Sequence, residues 1–330
     1  MNTPCHVCGG DLKPINGPTT DGLVTSDCRP WRGVLLIASC SVCGVVQKPQ
    51  TNDWQSDAER IYAGYGVYAQ GSGAEQKTYD SVSGEGQARS ERIIRWLGEK
   101  TEIPSSGQLL DIGCGNGSFL RAFSKAHPDW KLTGAELDDR NRAQIEAISG
   151  VTRLHVGPLD ELNETFDLIV MVHALEHIPN PAAFLRMLHA KLKPGGKVLI
   201  EVPDLNTSPF DVLIADHCTH FTPQAIEMVV RMAGYEATTL DAFCIPKEIT
   251  LLAASAEQHT SPPREPPAVV PKLLCNAWNG PTSLPKRAWP QKGRSASLVA
   301  ASQQRGSQVC SVRTRTSSWM KIPPGSVGVT

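Results

Sequence analysis

Thiols are the first residues here that could do chemistry. Cys5-x-x-Cys8 and Cys40-x-x-Cys43 are matched pairs, each followed by a glycine, with 31 residues between them. A glycine after the second cysteine lets the backbone bend so that N–H groups face the sulfurs. Four thiolates from two such turns match a tetrahedral zinc ion and leave no open coordination position. Cys5, Cys8, Cys40 and Cys43 are therefore expected to hold a structural zinc, with His6 and Cys28 as spare donors nearby. A redox-active Cys-x-x-Cys is the rival reading, and the presence of two pairs argues against it.

A second constellation is Asp111-Ile112-Gly113-Cys114-Gly115-Asn116-Gly117. Glycines at this spacing allow a sharp turn and close approach of a ligand to the backbone. A helix opening behind them would offer unpaired N–H groups to that ligand. Glu136 follows 19 residues after Gly117, where a carboxylate can accept hydrogen bonds from both hydroxyls of a ribose. The spacing is not the Gly-x-Gly-x-x-Gly of dinucleotide sites, and no Gly-Lys-Ser/Thr follows to make a phosphate loop. A merely tight strand–helix turn is the competing reading. Histidines supply the third set: Ala174-Leu175-Glu176-His177 and Asp216-His217-Cys218-Thr219-His220-Phe221. An imidazole serves as a general base near neutral pH. His217 is the first candidate and His220 the second, against the alternative that both only cap or line a loop. A metal held by His217 and His220 would be short of ligands.

These residues need elements that bring them to one edge. The pattern predicts strands at Leu109–Ile112, Lys131–Glu136, Arg153–Val156, Phe166–Val172 and Lys197–Val202, the last after a Lys193–Gly196 turn. Two further strands are expected near Thr239–Cys244 and Ile249–Ala254. Helices are expected at Arg92–Leu97, Ser118–Lys125, Asp138–Ile148, Pro181–Leu192 and Thr222–Ala233, the last stopped by Gly234. Near the N-terminus the one strand-like run is Gly33–Ser39. Strands alternating with helices imply a mainly parallel sheet covered on both faces, with its ligand at the carboxyl ends of the strands.

DIGCGNG (Asp111–Gly117), GAEL (Gly134–Leu137), FDLIVMVHALEHIPNP (Phe166–Pro181), LKPGGKVLIEVP (Leu192–Pro203) and the Phe221–Tyr235 segment together resemble the class I S-adenosylmethionine-dependent methyltransferases, over about residues 85–255. The resemblance implies a seven-stranded, Rossmann-like, doubly wound α/β fold. It implies that Gly113, Cys114, Gly115 and Gly117 wrap the methionine part of S-adenosylmethionine, that Asp111 orders the loop and that Glu136 holds the ribose. Leu137 and Leu159 would flank the adenine, and His173 would lie beside the methyl donor. Leu-Glu-His elements such as Leu175–His177 mostly shape the site in that family. A His-x-x-His-Phe element like His217–Phe221 is found in sugar-modifying members.

A zinc ribbon, a tyrosine-bearing bridge (Tyr62, Tyr65, Tyr68, Tyr79) and such a domain in series are similar to bacterial enzymes that methylate nucleotide-linked sugars or polysaccharide precursors. The bridge tyrosines could touch a substrate, but packing against the next domain is the favoured role. The expected layout is a ribbon over 1–52, the bridge over 53–84, the methyltransferase domain over 85–257 and a basic Pro/Ser-rich tail over 258–330.

The net charge of −1 is a cancellation: residues 1–260 carry −10 and residues 261–330 carry +9. Those last 70 residues hold ten Pro, ten Ser and a single acid, Glu265, with no persistent period. They read either as a disordered basic tail or as an out-of-frame product. Phosphate binding needs basic surface, so the acidic balance of 1–260 argues against a nucleic-acid partner and for a small-molecule substrate, a sugar nucleotide or similar. An RNA methyltransferase guided by the zinc module and a non-catalytic interaction protein are the alternatives. No apolar run approaches a membrane span or a secretory signal, so a cytoplasmic protein is the expectation. The oligomeric state is left open.

Overall fold

The computed structural model describes residues 3–16, 22–66, 74–75, 77–79, 84 and 86–256. Tyr68 and the whole of 258–330 lie outside the described residues.

The N-terminal module is built from short strands: β1 (Leu12–Pro14), β2 (Gly22–Val24), β3 (Pro30–Arg32), β4 (Ala38–Cys40) and β5 (Val46–Gln47). Residues 33–37, expected to be strand, have no ladder partner of their own. Their alternation survives, with Val34 and Leu36 outward and Ile37 buried; the run is held by the Ile15 N–H to Ile37 O bond and by packing of Leu35 and Ile37 against Val46, Leu205 and Val212. Helix α1 (Asn52–Ala63) starts where the Thr51 hydroxyl accepts the Trp54 N–H. A small hairpin, β6 (Lys77–Tyr79) with β7 (Gly86–Ala88), leads into α2 (Arg89–Lys100).

The larger unit alternates β8 (Gln108–Ile112), α3 (Ser118–Ala126), β9 (Lys131–Glu136), α4 (Arg142–Glu146), β10 (Val151–Val156), β11 (Phe166–Val172), α5 (Pro181–Leu188) and β12 (Leu192–Pro203). After a two-residue strand β13 (Thr219–His220) come α6 (Pro223–Met232), β14 (Tyr235–Asp241) and β15 (Glu248–Ser255). The seven-stranded sheet has the order β10-β9-β8-β11-β12-β15-β14. The first five strands in that order run parallel, and β15 is antiparallel to both its neighbours.

Period-two alternation splits the apolar side chains between the two faces. Leu110, Ile112, Ile169, Met171, Val198, Ile200 and Val202 pack with α5 and α6, and Leu109, Leu168, Val170 and Leu199 pack with α2, α3 and α4. The expected Lys193–Gly196 turn is absorbed as a bulge in β12, where the register jumps from Phe166–Leu192 to Leu168–Lys197. The second sheet-covering helix is shorter than its pattern: α4 covers only Arg142–Glu146, because the Asp138 carboxylate takes the Arg140 N–H and guanidinium and holds a turn in place of the first helical residues. The sixth strand starts earlier than expected and ends at Asp241, whose carboxylate caps the Phe243 and Cys244 N–H groups.

Gly134 lies where β9 passes under the turn after β8. A Cβ there would sit 2.7 Å from Cys114 Sγ and 3.2 Å from Leu120 Cδ1. Gly134→Ala is expected to destabilise the protein by about 1–3 kcal/mol through overpacking. Denaturant unfolding checks this, and an unchanged midpoint would refute the close approach.

Candidate functional site

The carboxyl ends of β8, β9 and β11 carry the residues singled out from sequence. After β8, Gly113, Gly115 and Gly117 all take positive φ (72°, 60° and 80°), which side-chain-bearing residues rarely adopt. Gly113 and Cys114 donate their N–H groups to Ala135 O, so the turn is tied to β9. Gly117 caps α3, and a Cβ on it would fall 2.7 Å from Ile148 Cδ1. Glu136 ends β9. Its Oε1 accepts the Gly115 N–H at 2.6 Å and its Oε2 accepts the Leu137 N–H at 2.9 Å. Burial raises its pKa. Asp111 is 2% exposed, and its Oδ2 has no hydrogen-bond partner. Burial, aided by the charge of Glu136, pushes its carboxyl up to about 8. Cys114 is buried and its thiol is pushed far up, which suits a packing residue and not a nucleophile. Leu137 is half-buried beside Glu136. Leu159, expected at the adenine, is 3% exposed and belongs to the core under the sheet.

His173 follows β11 with φ 51°. Its Nδ1 lies 3.1 Å from Glu176 Oε1 and its Nε2 lies 3.2 Å from Glu248 Oε1. Burial opposes the imidazolium, but Glu248 and Glu176 outweigh burial and push the ring up to about 9. Arg89 at the start of α2 joins this group, 2.7 Å from Glu248 and 3.5 Å from Glu201.

The two histidines of the 217–220 segment share one carboxylate. Asp211, in a short 3-10 helix at Pro209–Leu213, lies 2.7 Å from His217 Nδ1 and 2.5 Å from His220 Nδ1. All three are buried. Burial would raise the Asp211 pKa, yet the two imidazoles hold it well below the usual carboxylate range. Burial would lower His217, and Asp211 overrides it and raises it. His220 is held down to about 4 by burial and by Lys48. Among the described residues His217 and His220 fall in no common metal-ligand group; the ligand atoms within 4.8 Å of one another at His217 are those of Glu176 and His177. His177 packs edge-on against His217, with centroids 4.5 Å apart, and its Nδ1 meets the Tyr62 hydroxyl at 2.9 Å. Asp216 beside it accepts from the Ser26 N–H and hydroxyl. The Ala174–His177 turn connects both halves of the site, since a Cβ on Gly113 would lie 3.1 Å from Ala174 Cβ.

The four cysteines expected to bind metal do converge. Their sulfurs lie within 4.8 Å of one another, with Cys5 and Cys43 at 3.6 Å and Cys8 and Cys40 at 3.4 Å. A tetrahedron with Zn–S bonds of about 2.3 Å has edges of about 3.8 Å, so the set fits zinc. Gly9 and Gly44, after the second cysteine of each pair, have φ of 77° and 72°. N–H groups of Val7, Val42 and Cys43 and the Gln47 amide point at the sulfurs. Cys43 beside it holds the Cys5 thiol down to about 5, whereas burial pushes Cys8 up to about 12. Sulfurs packed this closely ionise together only around a cation.

Sequence patterns give no site role to Asp211, Lys48, Gln47, Arg89, Glu201 or Glu248, whereas Tyr62 is among the bridge tyrosines that could touch a substrate. All but Glu201, which lies in the Leu192–Pro203 motif, come from segments with no motif; Asp211, six residues before His217, is the one whose sequence proximity is a usable signal.

Residues 86–240 match the family model described as a methyltransferase domain. The ubiquinone biosynthesis O-methyltransferases of Bordetella bronchiseptica and Bordetella avium are 29% and 30% identical over 173 residues, which is 50% of this chain and 66% of each relative. The chain thus spans just under two thirds of the length of these curated relatives. Among solved structures, an S-adenosylmethionine-dependent methyltransferase from Clostridium acetobutylicum aligns with TM-score 0.42 and 15% identity, covering 51% of this chain and 91% of that one. The methyltransferase CalO1 of calicheamicin biosynthesis aligns with TM-score 0.41 and 18% identity, over 51% of this chain and 54% of that one. The family match over residues 86–240 thus falls on the mainly parallel sheet described above, whose strand β15 lies just beyond it. Among the described residues no helix is long and apolar enough to cross a membrane.

The purified full chain is expected to carry one zinc ion, and Cys40→Ser to lose it. Elemental analysis after gel filtration measures both, and a metal-free wild-type protein prepared without chelator would overturn the ligand set.

Proposed function

We propose that this protein transfers a methyl group from S-adenosylmethionine to a hydroxyl of a small metabolite, with His217 as general base. The carrying observation is that the Asp211–His217 pair and the glycine turn meet through the Ala174–His177 turn. The cofactor fits the residues present. Three positive-φ glycines keep their positions in the turn bare of side chains, a buried Asp111 oxygen has no donor, and Glu136 stands at the next strand end. Gly113, Cys114, Gly115 and Gly117 would hold the methionine part and Glu136 the ribose, with Leu137 against the base. When bound, the cofactor supplies an electrophilic methyl carbon on a sulfonium sulfur.

Methyl transfer is an in-line displacement, so aligning the acceptor oxygen with that carbon is the main task. The chain's own part is to take the proton. His217 keeps its Nδ1–H on Asp211 Oδ1, which fixes the tautomer and leaves Nε2 to accept the hydroxyl proton. The Asp211 charge then stabilises the imidazolium. His177 and Tyr62 form one wall beside His217. The four cysteines hold a structural zinc and take no part in the chemistry. A nucleotide-linked sugar is the proposed acceptor, supported by the ribbon, bridge and His-x-x-His-Phe series. The O-methyltransferase relatives support a second reading, a phenolic hydroxyl of the kind found on quinone precursors.

Incubation with labelled cofactor and a panel of nucleotide sugars and polyhydroxylated phenols distinguishes the two acceptors. Glu136→Ala removes a carboxylate whose hydrogen bonds are worth about 1.5–3 kcal/mol each, so calorimetry should show affinity for the cofactor falling at least about tenfold. Unchanged affinity would remove Glu136 from the site. His217→Asn should lower turnover by about 10²–10⁴-fold with cofactor affinity retained. Full turnover in that variant would show that another group takes the proton.

A further inference from the structure

The ribbon does not stop at its own strands. Its four-stranded sheet has the order β1-β4-β5-β13, so the last strand comes from the histidine segment of the methyltransferase unit. Thr219 pairs with Gln47 and His220 with Val46, antiparallel. The next ribbon residue, Lys48, donates its N–H to Cys218 O at 3.0 Å. Its side chain turns inward and is 3% exposed. The Nζ donates to Ile214 O at 2.5 Å and to His217 O at 2.9 Å, and it lies 3.4 Å from His220 Nε2. A buried ammonium has three protons and accepts nothing. Its three neighbours are two carbonyl oxygens and one ring nitrogen, and each must therefore be an acceptor.

We propose that Lys48 is a positioning residue for the general base: it closes the 214–217 turn around two carbonyls and locks His220 as the neutral Nδ1–H tautomer, so that the Asp211 charge serves His217. This rests on the reading of His217 as the base.

The geometry has one consistent proton arrangement. His220 Nε2 faces the ammonium and carries the lone pair, so its proton sits on Nδ1 and goes to Asp211 Oδ2. His217 donates its own Nδ1–H to Asp211 Oδ1. Asp211 then accepts from a neutral His220 and has its charge available for the imidazolium that forms at His217. If His220 were protonated too, two imidazolium rings would compete for one carboxylate. The charged or titratable groups facing His220 are Asp211, His217, Lys48 and His6. Asp211 favours the protonated ring, and Lys48 and His217 oppose it together with burial. Removing the ammonium deletes one of the opposing charges, so the His220 pKa must rise. Asp211, Asp216 and Cys218 surround Lys48, and the two carboxylates keep it protonated although burial pulls it down to about 8.

The test uses zinc-loaded full-length protein with ¹⁵N-labelled histidine. In the wild type, His220 should show the Nδ1–H tautomer and no titration between about pH 5.5 and 7.5. In Lys48→Met, His220 should titrate inside that window, an upward shift of at least about one pH unit. Affinity for S-adenosylmethionine, measured by calorimetry, should be unchanged. A wild-type His220 that carries its proton on Nε2 overturns the proposal, and that measurement stands even if Lys48→Met fails to fold. A His220 that stays silent in folded Lys48→Met also overturns it. Full turnover of His217→Asn, with His220 behaving as expected, would sink the base assignment and leave the Lys48 contact standing.

Discussion

One buried carboxylate sets the terms for the histidine side of the site. Asp211 has been removed from water, and a lone carboxylate there would be worth several kcal/mol of instability. Two imidazoles and the field of a buried ammonium compensate it. Each of those groups depends on the same carboxylate: His217 is raised by it, and Lys48 is kept charged by it. The cluster is therefore stable only as a whole. The segment from Asp204 to Thr222, whose regular structure is one short 3-10 helix and the two-residue β13, is held by this polar core, by the β13–β5 pair and by bridges from Ile214 to Val24 and from Asp204 to Phe221.

That strand pair explains why a four-cysteine module precedes the catalytic-type domain. The ribbon's longest strands have three residues, and such strands are unstable alone. Zinc among the four sulfurs would close the module, and β13 completes its sheet from outside. Gln47 connects the two directly. Its side chain donates to Cys5 Sγ and accepts the His6 N–H, while its backbone pairs with Thr219. A change at the sulfurs is therefore two residues away from the histidine that shares Asp211. The apolar contacts say the same, since Cys5, Val7, Cys40, Cys43 and Val45 fall in one core with α5 and α6.

What could be read from the sequence followed from local physics. Lys131–Glu136 and Phe166–Val172 came out with the bounds found in the structure, because a buried parallel strand is an apolar run between turn signals. The glycine turn and the cysteine pairs were legible because positive φ and metal geometry restrict residue types tightly. The Asp138–Ile148 helix was overdrawn, since a local Asp138–Arg140 contact competes with the helix and leaves no periodicity signal. Leu159, expected beside the adenine, is buried in the core under the sheet, a burial that no local pattern marked. His217 and His220 were visible as a pair, but the spacing could not show that one is the neutral neighbour of a buried lysine and the other is not. Asp211 and Lys48 carry no motif. Their roles follow from burial and from a pairing between segments about 170 residues apart.

The opposite end of the site obeys a different electrostatic rule. Around Asp111 and Glu136 the carboxylates outnumber their cations, and burial raises both pKa values. A group of raised carboxylates favours a cationic ligand, because binding one restores the ionised form that burial opposes. At His173 the balance is the reverse. Glu176 and Glu248 outweigh burial and hold the ring protonated, with Arg89 adding a second cation beside Glu201 and Glu248. The two acid-rich groups are separated by the Ala174–His177 turn, and each holds buried carboxylate oxygens without a hydrogen-bond donor: Asp111 Oδ2 in the first, and Glu176 Oε2, Glu201 Oε1 and Glu248 Oε2 in the second. What separates the two groups is the cations beside them: no histidine or arginine ion pair is formed by Asp111 among the described residues. The His173 cluster already contains its own counter-charges. On the proposed reading the donor lies against Asp111 and Glu136 and the acceptor approaches from the Tyr62, His177 and His217 side, where Asp211 fixes the His217 tautomer and stabilises the ring once it has taken the proton.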